Sequence, residues 1–209
     1  APTPQVTPVA QGQGNEPESL YDSDEYHFFY SLYSPFSNFH PAKFEFKNIQ
    51  FSSTEQFYMY SKAKLFKDEE TANKIMANKK KPLVQKFLNG EVSRNRILRY
   101  HQDEWFKLTF EIKKLGNNQK FPKDNPDWVS RKENVLGVAL REKFSQDDEL
   151  KKILLKTVGK KLVEASPKDN YWGAGLSKED LLKTHPKDWP GHNALGDLLE
   201  KLRDKFILE

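Results

Sequence analysis

The spacing of hydrophobic and polar residues along the chain predicts a mostly helical protein with one short β-hairpin. Between residues 43 and 51 apolar and polar residues alternate, with a break at Asn48, as in two strands joined by a tight turn. From residue 52 the apolar positions recur at helical spacing instead. The predicted helices cover residues 54–66, 68–77, 82–88, 128–144 and 147–157, and a last helix follows Asn193. The expected fold class is therefore mainly α (α+β), a compact single domain with a small β-hairpin element.

Three other segments have less regular patterns. Residues 27–40 are aromatic and interrupted by turn-forming residues, which predicts a short strand and then a loop. Residues 100–127 are compatible with either a strand or a helix, followed by a loop rich in Lys, Asn and Pro. Residues 162–175 predict an extended segment that leads into a glycine-containing loop. Ser145, with Asp148 three residues later, has the spacing of a capping box and predicts the N-cap of the helix that follows.

The N-terminus has the composition of an unfolded segment. Residues 1–20 are rich in Pro, Gln and Gly and contain no aromatic residue, so they cannot bury enough surface to offset the entropy of ordering. We therefore predict a disordered arm over residues 1–22 and a folded domain over residues 23–209. No stretch approaches the roughly 18 apolar residues of a membrane span, and no secretory signal is visible. The expected location is intracellular, either cytoplasmic or nuclear, with no membrane partner.

Composition and charge narrow the chemistry. The chain has no cysteine, which excludes disulfides, thiolate nucleophiles and cysteine-bound zinc. Its 15 Phe, 8 Tyr and 4 Trp supply surfaces on which flat rings can stack. Residues 1–42 hold five acidic residues and no Lys or Arg, so the rest of the chain carries +9 against a net charge of +4 overall. A basic body suits a polyanionic ligand, although lysine-rich helix faces that serve only solubility produce the same excess. No cofactor motif or metal-ligand spacing is found, and neither a cofactor nor a metal is expected.

One helical stretch, SSTEQFYMYSK at residues 52–62, combines a carboxylate and an amine on one helix face. Glu55 and Lys62 are seven residues apart, which is about two helical turns. In the simplest interpretation Ser52 and Glu55 form a capping box and Lys62 is solvated. The large side chains between them indicate instead a helix that is buried on more than one side. Burial lowers the pKa of a lysine, and a neutral amine can form a Schiff base with a sugar carbon.

Two further stretches hold more polar and aromatic residues than a core needs. Residues 36–39 read FSNF, in which two phenylalanines flank Ser37 and Asn38. This is typical either of a binding loop or of a turn whose side chains bond their own backbone. Trp128 and Lys132 lie four residues apart on one helix face. They either contact a ligand together or represent a lysine stem packed on an indole.

The segment EASPKDNYWGAG, residues 164–175, is the last candidate for a site. Asp169 and Trp172 lie in a turn whose glycines allow close backbone approach to a ligand. The simpler interpretation is a loop that only connects a strand to a helix. Downstream, Asn193 is either the N-cap of the last helix or a ligand contact, and the N-cap is the safer interpretation from the sequence.

Taken in order, these motifs resemble the YbiA-like family, also called NADAR. The matching pieces are FSNF (36–39), Glu55-x6-Lys62, Trp128-x3-Lys132, ALREKFSQ (139–146), LVEASPKDNYWGAG (162–175) and WPGHNALGDLLEKLR (189–203). The resemblance implies a compact, mostly helical YbiA-like domain with N-glycosidase activity, which cleaves a bond between a ribose C1 and a nitrogen. Family members act on phosphorylated aminopyrimidine intermediates of riboflavin biosynthesis, or remove ADP-ribose from modified guanine in nucleic acid.

The chain departs from the family pattern in its middle. The family usually has a Gly-Arg pair after the second helix, whereas here Glu91 follows Gly90. Arg94 or Arg96 is the candidate substitute. Residues 97–126 are also longer than in a minimal member. Both changes lie where substrate choice could be altered.

With that resemblance, the candidate residues acquire expected roles. Lys62 is the expected nucleophile that forms a Schiff base with C1, and Glu55 is the expected proton shuttle. Asp169 is expected to be a second carboxylate that assists the leaving base or activates water. The expected substrate-binding residues are Ser37, Asn38, Phe39, Trp128, Lys132, Trp172, Gly173 and Asn193, with Lys132 and either Arg94 or Arg96 meeting phosphate.

Three functions are compatible with these features. The first is removal of ADP-ribose from ADP-ribosylated guanine, free or carried by DNA or RNA, which the basic body and the long middle segment favour. The second is hydrolysis of a phosphorylated aminopyrimidine ribotide of riboflavin biosynthesis. The third belongs to a different class, a module that binds ADP-ribose or nucleic acid without turnover. A pure binding module has no need of a buried amine, so the catalytic functions are preferred.

Overall fold

The structure, a computed structural model, describes residues 20–118 and 120–209. Residues 1–19 of the predicted disordered arm lie outside the described residues. Tyr21, which the prediction places in the arm, packs on the domain instead. Its ring centroid is 5.3 Å from that of Tyr26 and 5.9 Å from that of Trp189, and its hydroxyl donates to the Leu181 carbonyl at 2.8 Å. The packed domain therefore includes Tyr21.

The strands form a hairpin and a separate parallel pair. They are β1 (Tyr26–Phe29), β2 (Phe44–Phe46), β3 (Ile49–Phe51) and β4 (Lys161–Glu164). The predicted hairpin is confirmed, since β2 and β3 pair antiparallel with Phe44 opposite Phe51. Lys47 and Asn48 join them with φ angles of 49° and 64°, as a two-residue type I′ turn requires. The other pair, β1 and β4, is parallel with Phe29 opposite Glu164, which brings residues far apart in the chain together.

The rest of the described chain is mostly helical, so the mainly α (α+β) class is confirmed. The helices are α1 (Thr54–Leu65), α2 (Glu69–Ala77), α3 (Pro82–Leu88), α4 (Arg94–Tyr100), α5 (Gln102–Gly116), α6 (Pro126–Ser145), α7 (Asp148–Leu155), α8 (Lys178–Leu182) and α9 (Ala194–Leu208). Residues 100–127, which were compatible with either a strand or a helix, contain α5. The buried side of this helix carries Trp105, Leu108 and Ile112. The short helices α4 and α8 are not predicted by the sequence pattern. Nowhere in the described residues is a helix both long and apolar enough to cross a bilayer.

The predicted N-cap of α7 is wrong by two residues. Ser145 is the last residue of α6, and the side chain of Asp147 caps α7 by accepting from the Leu150 amide at 3.1 Å. An extended backbone at Asp147 lets its carboxylate reach that amide, whereas Ser145 is still helical.

Helix α1 lies at the centre of the domain, as the large side chains in its sequence predicted. It packs against α2, α5 and α6, and Phe57 contacts Phe44 and Phe51 of the hairpin with ring centroids 6.1 and 5.0 Å apart. Because helices surround it, its polar residues are buried together with its apolar ones. The carboxylate and amine of this helix are therefore not on a solvated face.

Candidate active site

The start of α1 is capped one residue later than the sequence suggested, and this frees Glu55. The Ser53 side chain accepts from the Gln56 amide at 3.1 Å, and Gln56 Oε1 accepts from the Ser52 amide at 3.0 Å. The proposed capping box of Ser52 and Glu55 is therefore wrong. Glu55 is 5% exposed, and its Oε1 has no hydrogen-bond partner among the described residues. A buried carboxyl oxygen without a partner is costly, so this side chain is not there to hold the helix.

Burial also makes Glu55 an unusual acid. It raises the pKa of Glu55 to about 7, although the positive charge of Lys113 opposes the change. The negative charge of Asp169 adds to the increase, and the charge of Lys62 opposes it. Glu55 can therefore both accept and donate a proton near neutral pH, which suits a proton shuttle.

Lys62 lies two turns further along α1 and is also buried. It is 3% exposed, and its Nζ is 5.8 Å from the centroid of the Trp128 ring. Burial lowers the pKa of Lys62 to about 8, and the positive charges of Lys123 and Lys132 favour the neutral amine further, against the effect of Glu55. Near neutral pH a larger fraction of this amine is neutral than in an ordinary lysine, which is the form that attacks carbon.

The negative charge of Asp169 contributes to the raised pKa of Glu55, but one of its carboxylate oxygens is already hydrogen-bonded to the backbone. Its Oδ1 accepts from the Tyr171 amide at 2.9 Å and from the Trp172 amide at 2.8 Å. These bonds hold the turn that carries Trp172. The predicted second carboxylate is thus near the cluster, with one oxygen fixing the loop.

Glu164, at the end of β4, is a further carboxylate of this cluster; it begins the candidate segment 164–175, but no role was predicted for it. Its Oε2 is buried and has no hydrogen-bond partner among the described residues. Burial raises the pKa of Glu164 to about 8, and the negative charges of Asp169 and Glu55 raise it further. At neutral pH this side chain is therefore mainly protonated and can donate a proton. The one signal in the sequence is an isolated acid in the apolar run LVEA, which the family motif contains without assigning it a role.

Aromatic rings enclose this cluster. Trp128 is 2% exposed and lies 5.1 Å from Tyr58, centroid to centroid, while Tyr58 meets Trp172 edge to face at 5.6 Å. Tyr58 is another residue for which no role was predicted, and burial raises its pKa. The Lys132 Nζ lies 3.4 Å from the centroid of the Tyr171 ring, and substrate contact by Lys132 and Trp128 stays a prediction. Since Glu55 and Lys62 are both buried, a substrate reaches them only after neighbouring side chains move.

The loop with the FSNF motif positions α1. Ser37 accepts through its hydroxyl from the Phe39 amide at 3.1 Å, which is the turn-forming bond of the simpler interpretation. The Asn38 carbonyl accepts from the Glu55 amide at 3.1 Å, and Asn38 Oδ1 accepts from the Thr54 hydroxyl at 2.8 Å. These polar groups are thus bound within the protein, and contact of Ser37, Asn38 and Phe39 with substrate stays a prediction.

Arg94 is not available for phosphate. Its Nε donates to the Pro41 carbonyl at 2.8 Å, and its guanidinium forms an ion pair with Asp147. The proposal that Arg94 meets phosphate is therefore wrong, because Arg94 ties the FSNF loop to α7. Arg96 is exposed, and its guanidinium lies 5.4 Å from the centroid of the Tyr100 ring.

Gly173 and Asn193 join the Asp169 loop to β4 and α9. A Cβ on Gly173 would lie 2.8 Å from Ser166 Cβ, so only glycine fits. Asn193 lies at the N-cap position of α9, as one of the two interpretations predicted, but its backbone is left-handed and its side chain makes no capping hydrogen bond. Its side chain instead accepts from the Glu164 amide at 3.0 Å and donates to the Leu162 carbonyl at 2.8 Å. Both residues fix the backbone beside Glu164, and substrate contact by either stays a prediction.

A surface concavity of about 330 Å³ borders the Asp169 loop. It is lined by Glu133, Tyr171, His192, Ala194, Asp197, Leu198 and Lys201. Tyr171 is therefore shared between this open space and the contact with Lys132. Glu55, Lys62 and Asp169 do not belong to its lining, which agrees with the burial of Glu55 and Lys62.

The fold is similar to that of a solved bacterial protein. The NMR structure of the E. coli protein YbiA matches with a TM-score of 0.61 and 26% sequence identity, over 88% of this chain and 86% of that chain. N-glycosidase R617 of Acanthamoeba polyphaga mimivirus is 32% identical over 195 residues, which is 88% of this chain and 98% of the viral protein. Protein irg-1 of Caenorhabditis elegans is 32% identical over 192 residues, or 85% of this chain and 78% of its own length.

Fold and relatives together define the class of the protein, which is an N-glycosidase. The chain belongs to the NADAR domain family, whose model matches residues 26–126 and 122–207. The family expected from the motifs is thereby confirmed.

Proposed function

We propose that this N-glycosidase removes ADP-ribose from ADP-ribosylated guanine, free or carried by nucleic acid, through a Schiff base at Lys62. The observation that carries the proposal is the buried amine of Lys62 beside carboxylates of raised pKa. Its pKa of about 8 lies near those of Glu55 and Glu164, about 7 and about 8. An amine and two acids that all titrate near neutrality suit a reaction in which protons move at each step.

In the proposed first step, the neutral amine of Lys62 attacks the ribose C1 and the C1–N bond to guanine breaks. Glu164, protonated at neutral pH, gives its proton to the departing guanine. Glu55 accepts a proton from the attacking nitrogen, which leaves the sugar attached to Lys62. Asp169 contributes a negative charge that favours the positive charge developing at C1.

The second step releases the sugar. The ribose ring opens as its oxygen takes a proton from Glu55, which gives a protonated imine between C1 and Lys62. Water adds to C1 with loss of a proton to a carboxylate, and the C1–Nζ bond then breaks. The amine is restored and ADP-ribose leaves, so one water has been consumed for each bond cleaved.

The surroundings of the cluster support a substrate with a purine and a diphosphate. Tyr58, Trp128 and Trp172 offer aromatic surface for a flat base. The positive charges of Lys113, Lys123 and Lys132 all act on the cluster, as their effects on the neighbouring pKa values show. Two of these lysines come from the long middle segment of the sequence, so its extra residues supply charge for additional phosphate.

Borohydride trapping tests the covalent step. Reduction during turnover of ADP-ribosylated guanosine is expected to leave the sugar on Lys62, found by peptide mass spectrometry. Lys62→Ala is expected to lose both the adduct and the activity. Lys64→Ala is the matched control, because Lys64 lies on the same helix, has a side chain 43% exposed and, among the described residues, pairs only with Glu69. If the wild type turns over without an adduct and Lys62→Ala keeps full rate, the carboxylates hydrolyse the bond directly.

A direct comparison of substrates tests the specificity. Release of ADP-ribose from ADP-ribosylated guanosine is expected, with little base release from a phosphorylated aminopyrimidine ribotide. The reverse preference would assign the chain to riboflavin intermediates instead. Tight binding of ADP-ribose without product from either substrate would indicate the non-catalytic module.

A further inference from the structure

Helix α5 carries an exposed aromatic surface that its packing does not require. Its buried side holds Trp105 and Ile112, each 1% exposed. On the outer side Phe106 and Phe110 are 48% and 39% exposed, one helical turn apart. Their rings are nearly parallel, with centroids 5.7 Å apart and an interplanar angle of 11°. Single exposed apolar residues are common in proteins, but an aligned pair of rings forms a platform.

This platform continues toward the candidate active site. The Phe106 ring is 5.6 Å from that of Phe39, centroid to centroid. Lys113 Nζ lies 5.9 Å from the Phe39 ring, and Lys114 Nζ lies 5.5 Å from the Phe110 ring. Three aromatic rings in a row are thus accompanied by two ammonium groups, and we name these five residues the α5 strip.

Lys113 links the strip to the catalytic cluster. Its positive charge lowers the pKa of both Glu55 and Glu164 against the effect of burial, so it is near both carboxyl groups. Phe39 is joined to the same region, because it follows Asn38, whose carbonyl accepts from the Glu55 amide. A ligand on the strip would therefore extend toward the carboxyl groups of the cluster.

We propose that the α5 strip binds the single-stranded nucleic acid that carries the modified guanine. Successive aromatic rings stack bases of any sequence, and flanking lysines meet the phosphates between them. A duplex is a poorer match, because its bases are already stacked on one another and do not present their faces. The inference rests on the proposed function, since it names the carrier of the ADP-ribosylated base at that same site.

The test uses a double variant of the two exposed rings. Phe106→Ser with Phe110→Ser removes the stacking surface but leaves the buried side of α5 and the catalytic cluster intact. Val129→Ser, a 46% exposed apolar position on α6, is the matched control. All measurements are made at one salt concentration. Fluorescence anisotropy gives the Kd for a fluorescein-labelled unmodified single strand. Kinetic assays give kcat/KM for ADP-ribose release from the modified strand and from free ADP-ribosylated guanosine.

The double variant is expected to weaken binding of the labelled strand at least about tenfold, the effect of losing one base–aromatic stack. Its kcat/KM for the modified strand is expected to fall by a similar factor, with kcat/KM for the free nucleoside unchanged. Unchanged strand binding, or an equal loss on both substrates, overturns the proposal.

The outcomes also separate this inference from the proposed function. If neither substrate releases ADP-ribose while the strand still binds through Phe106 and Phe110, the proposed function fails and the strip stands as a nucleic-acid surface. If the free nucleoside is hydrolysed and the labelled strand does not bind, the function stands and the assignment of the strip is wrong.

Discussion

At the scale of single residues, the two buried acids of the cluster combine an unpaired carboxyl oxygen with a raised pKa. Glu55 and Glu164 each have a buried carboxyl oxygen with no hydrogen-bond partner among the described residues. Buried polar groups that serve only the fold are nearly always paired, as Gln56 is with Ser52 and with the Ile75 carbonyl. Unpaired acids at the same cluster therefore reflect a task other than stability.

Glu55→Gln is expected to separate function from stability. Glutamine has the same shape, and a carboxyl with a pKa of about 7 is already half protonated near neutrality. At pH 7 this carboxyl is ionised in the unfolded chain, where its pKa is near the usual 4.5, so burying it costs free energy that glutamine does not cost. The free energy of unfolding of Glu55→Gln should therefore be equal to or higher than that of the wild type, while activity is lost. Ser53→Ala, which removes the real cap of α1, should cost about 1 kcal/mol. Urea unfolding of both variants checks this, and a larger loss in Glu55→Gln would return the residue to a structural role.

Glu164→Gln is expected to alter the pH dependence of kcat/KM. The Lys62 amine reacts when neutral, so the rate should rise as pH approaches its pKa of about 8. Glu164 donates when protonated, so the rate should fall as pH rises above its pKa of about 8. The wild type should thus show a bell-shaped profile, and Glu164→Gln a lower rate without the alkaline decline. A decline that persists in the variant would show that another group supplies the proton.

The sequence predicted part of this site because some residues are spaced along one element. Glu55 and Lys62 share a helix face, so their proximity follows from helical geometry. Glu164 joins them only through the pairing of β4 with β1 and the fixing of β4 by Asn193. Arg94 was misjudged for the same reason, since its partners Pro41 and Asp147 are distant in the chain.

At the scale of elements, the FSNF loop is held by donors from several helices. The Ser37 carbonyl accepts from Lys143 of α6 at 3.1 Å, and the Phe39 carbonyl accepts from the Trp105 indole of α5 at 2.9 Å. The Asn38 carbonyl accepts from the Glu55 amide in the first turn of α1. The loop is therefore a junction that sets the position of α1 relative to its neighbours.

Thr54→Val tests this junction. It removes the hydroxyl that donates to Asn38 Oδ1 at 2.8 Å and keeps the shape of the side chain. The free energy of unfolding should fall by about 1 kcal/mol, and kcat should fall because Glu55 is less well positioned. Thr109→Val is the matched control, since in the part of the chain that the structure describes that buried hydroxyl donates only to the Trp105 carbonyl within α5. Equal kcat values in the two variants would mean that the junction serves stability alone.

The pattern of apolar residues does not predict α5 as a helix. Buried Trp105, Leu108 and Ile112 alternate along the sequence with exposed Phe106 and Phe110. Aromatic residues on both sides remove the contrast between faces on which a helix prediction depends. If the α5 strip binds a strand, the same residues that obscure the helix carry its function.

At the scale of the whole molecule, the parallel pairing of β1 with β4 joins the beginning of the domain to a segment more than 130 residues later in the chain. Each strand is only four residues long, and the sequence indicates an extended segment at both places without indicating that they pair. Strand partners far apart in a chain are fixed by the packing of everything between them, here including α1 and α6. The hairpin of β2 and β3 was predictable because its turn is local.

The buried Lys143 should make the free energy of unfolding of the whole domain depend on pH. Lys143 is 1% exposed and donates to the Ser37 carbonyl, and burial lowers its pKa to about 7 from the usual 10.5. Arg94 lowers this pKa further and Asp147 opposes the change. Between pH 7 and 10.5 the unfolded chain therefore binds more protons at this residue than the folded chain. The free energy of unfolding should therefore rise with pH in that range because of Lys143, and this gain should disappear as pH falls toward 7.

Lys143→Met should abolish this response. From pH 7 to pH 9 the free energy of unfolding of the wild type should rise by about 1–2 kcal/mol relative to Lys143→Met, because the variant has no proton to exchange there. Urea unfolding at the two pH values measures this difference even if the variant is less stable at both, since the Ser37 carbonyl loses its donor. Lys152→Met, the same change at an exposed helical position, should keep the response of the wild type. A wild type and a Lys143→Met variant with the same change between pH 7 and 9 would show that Lys143 stays charged within the folded domain.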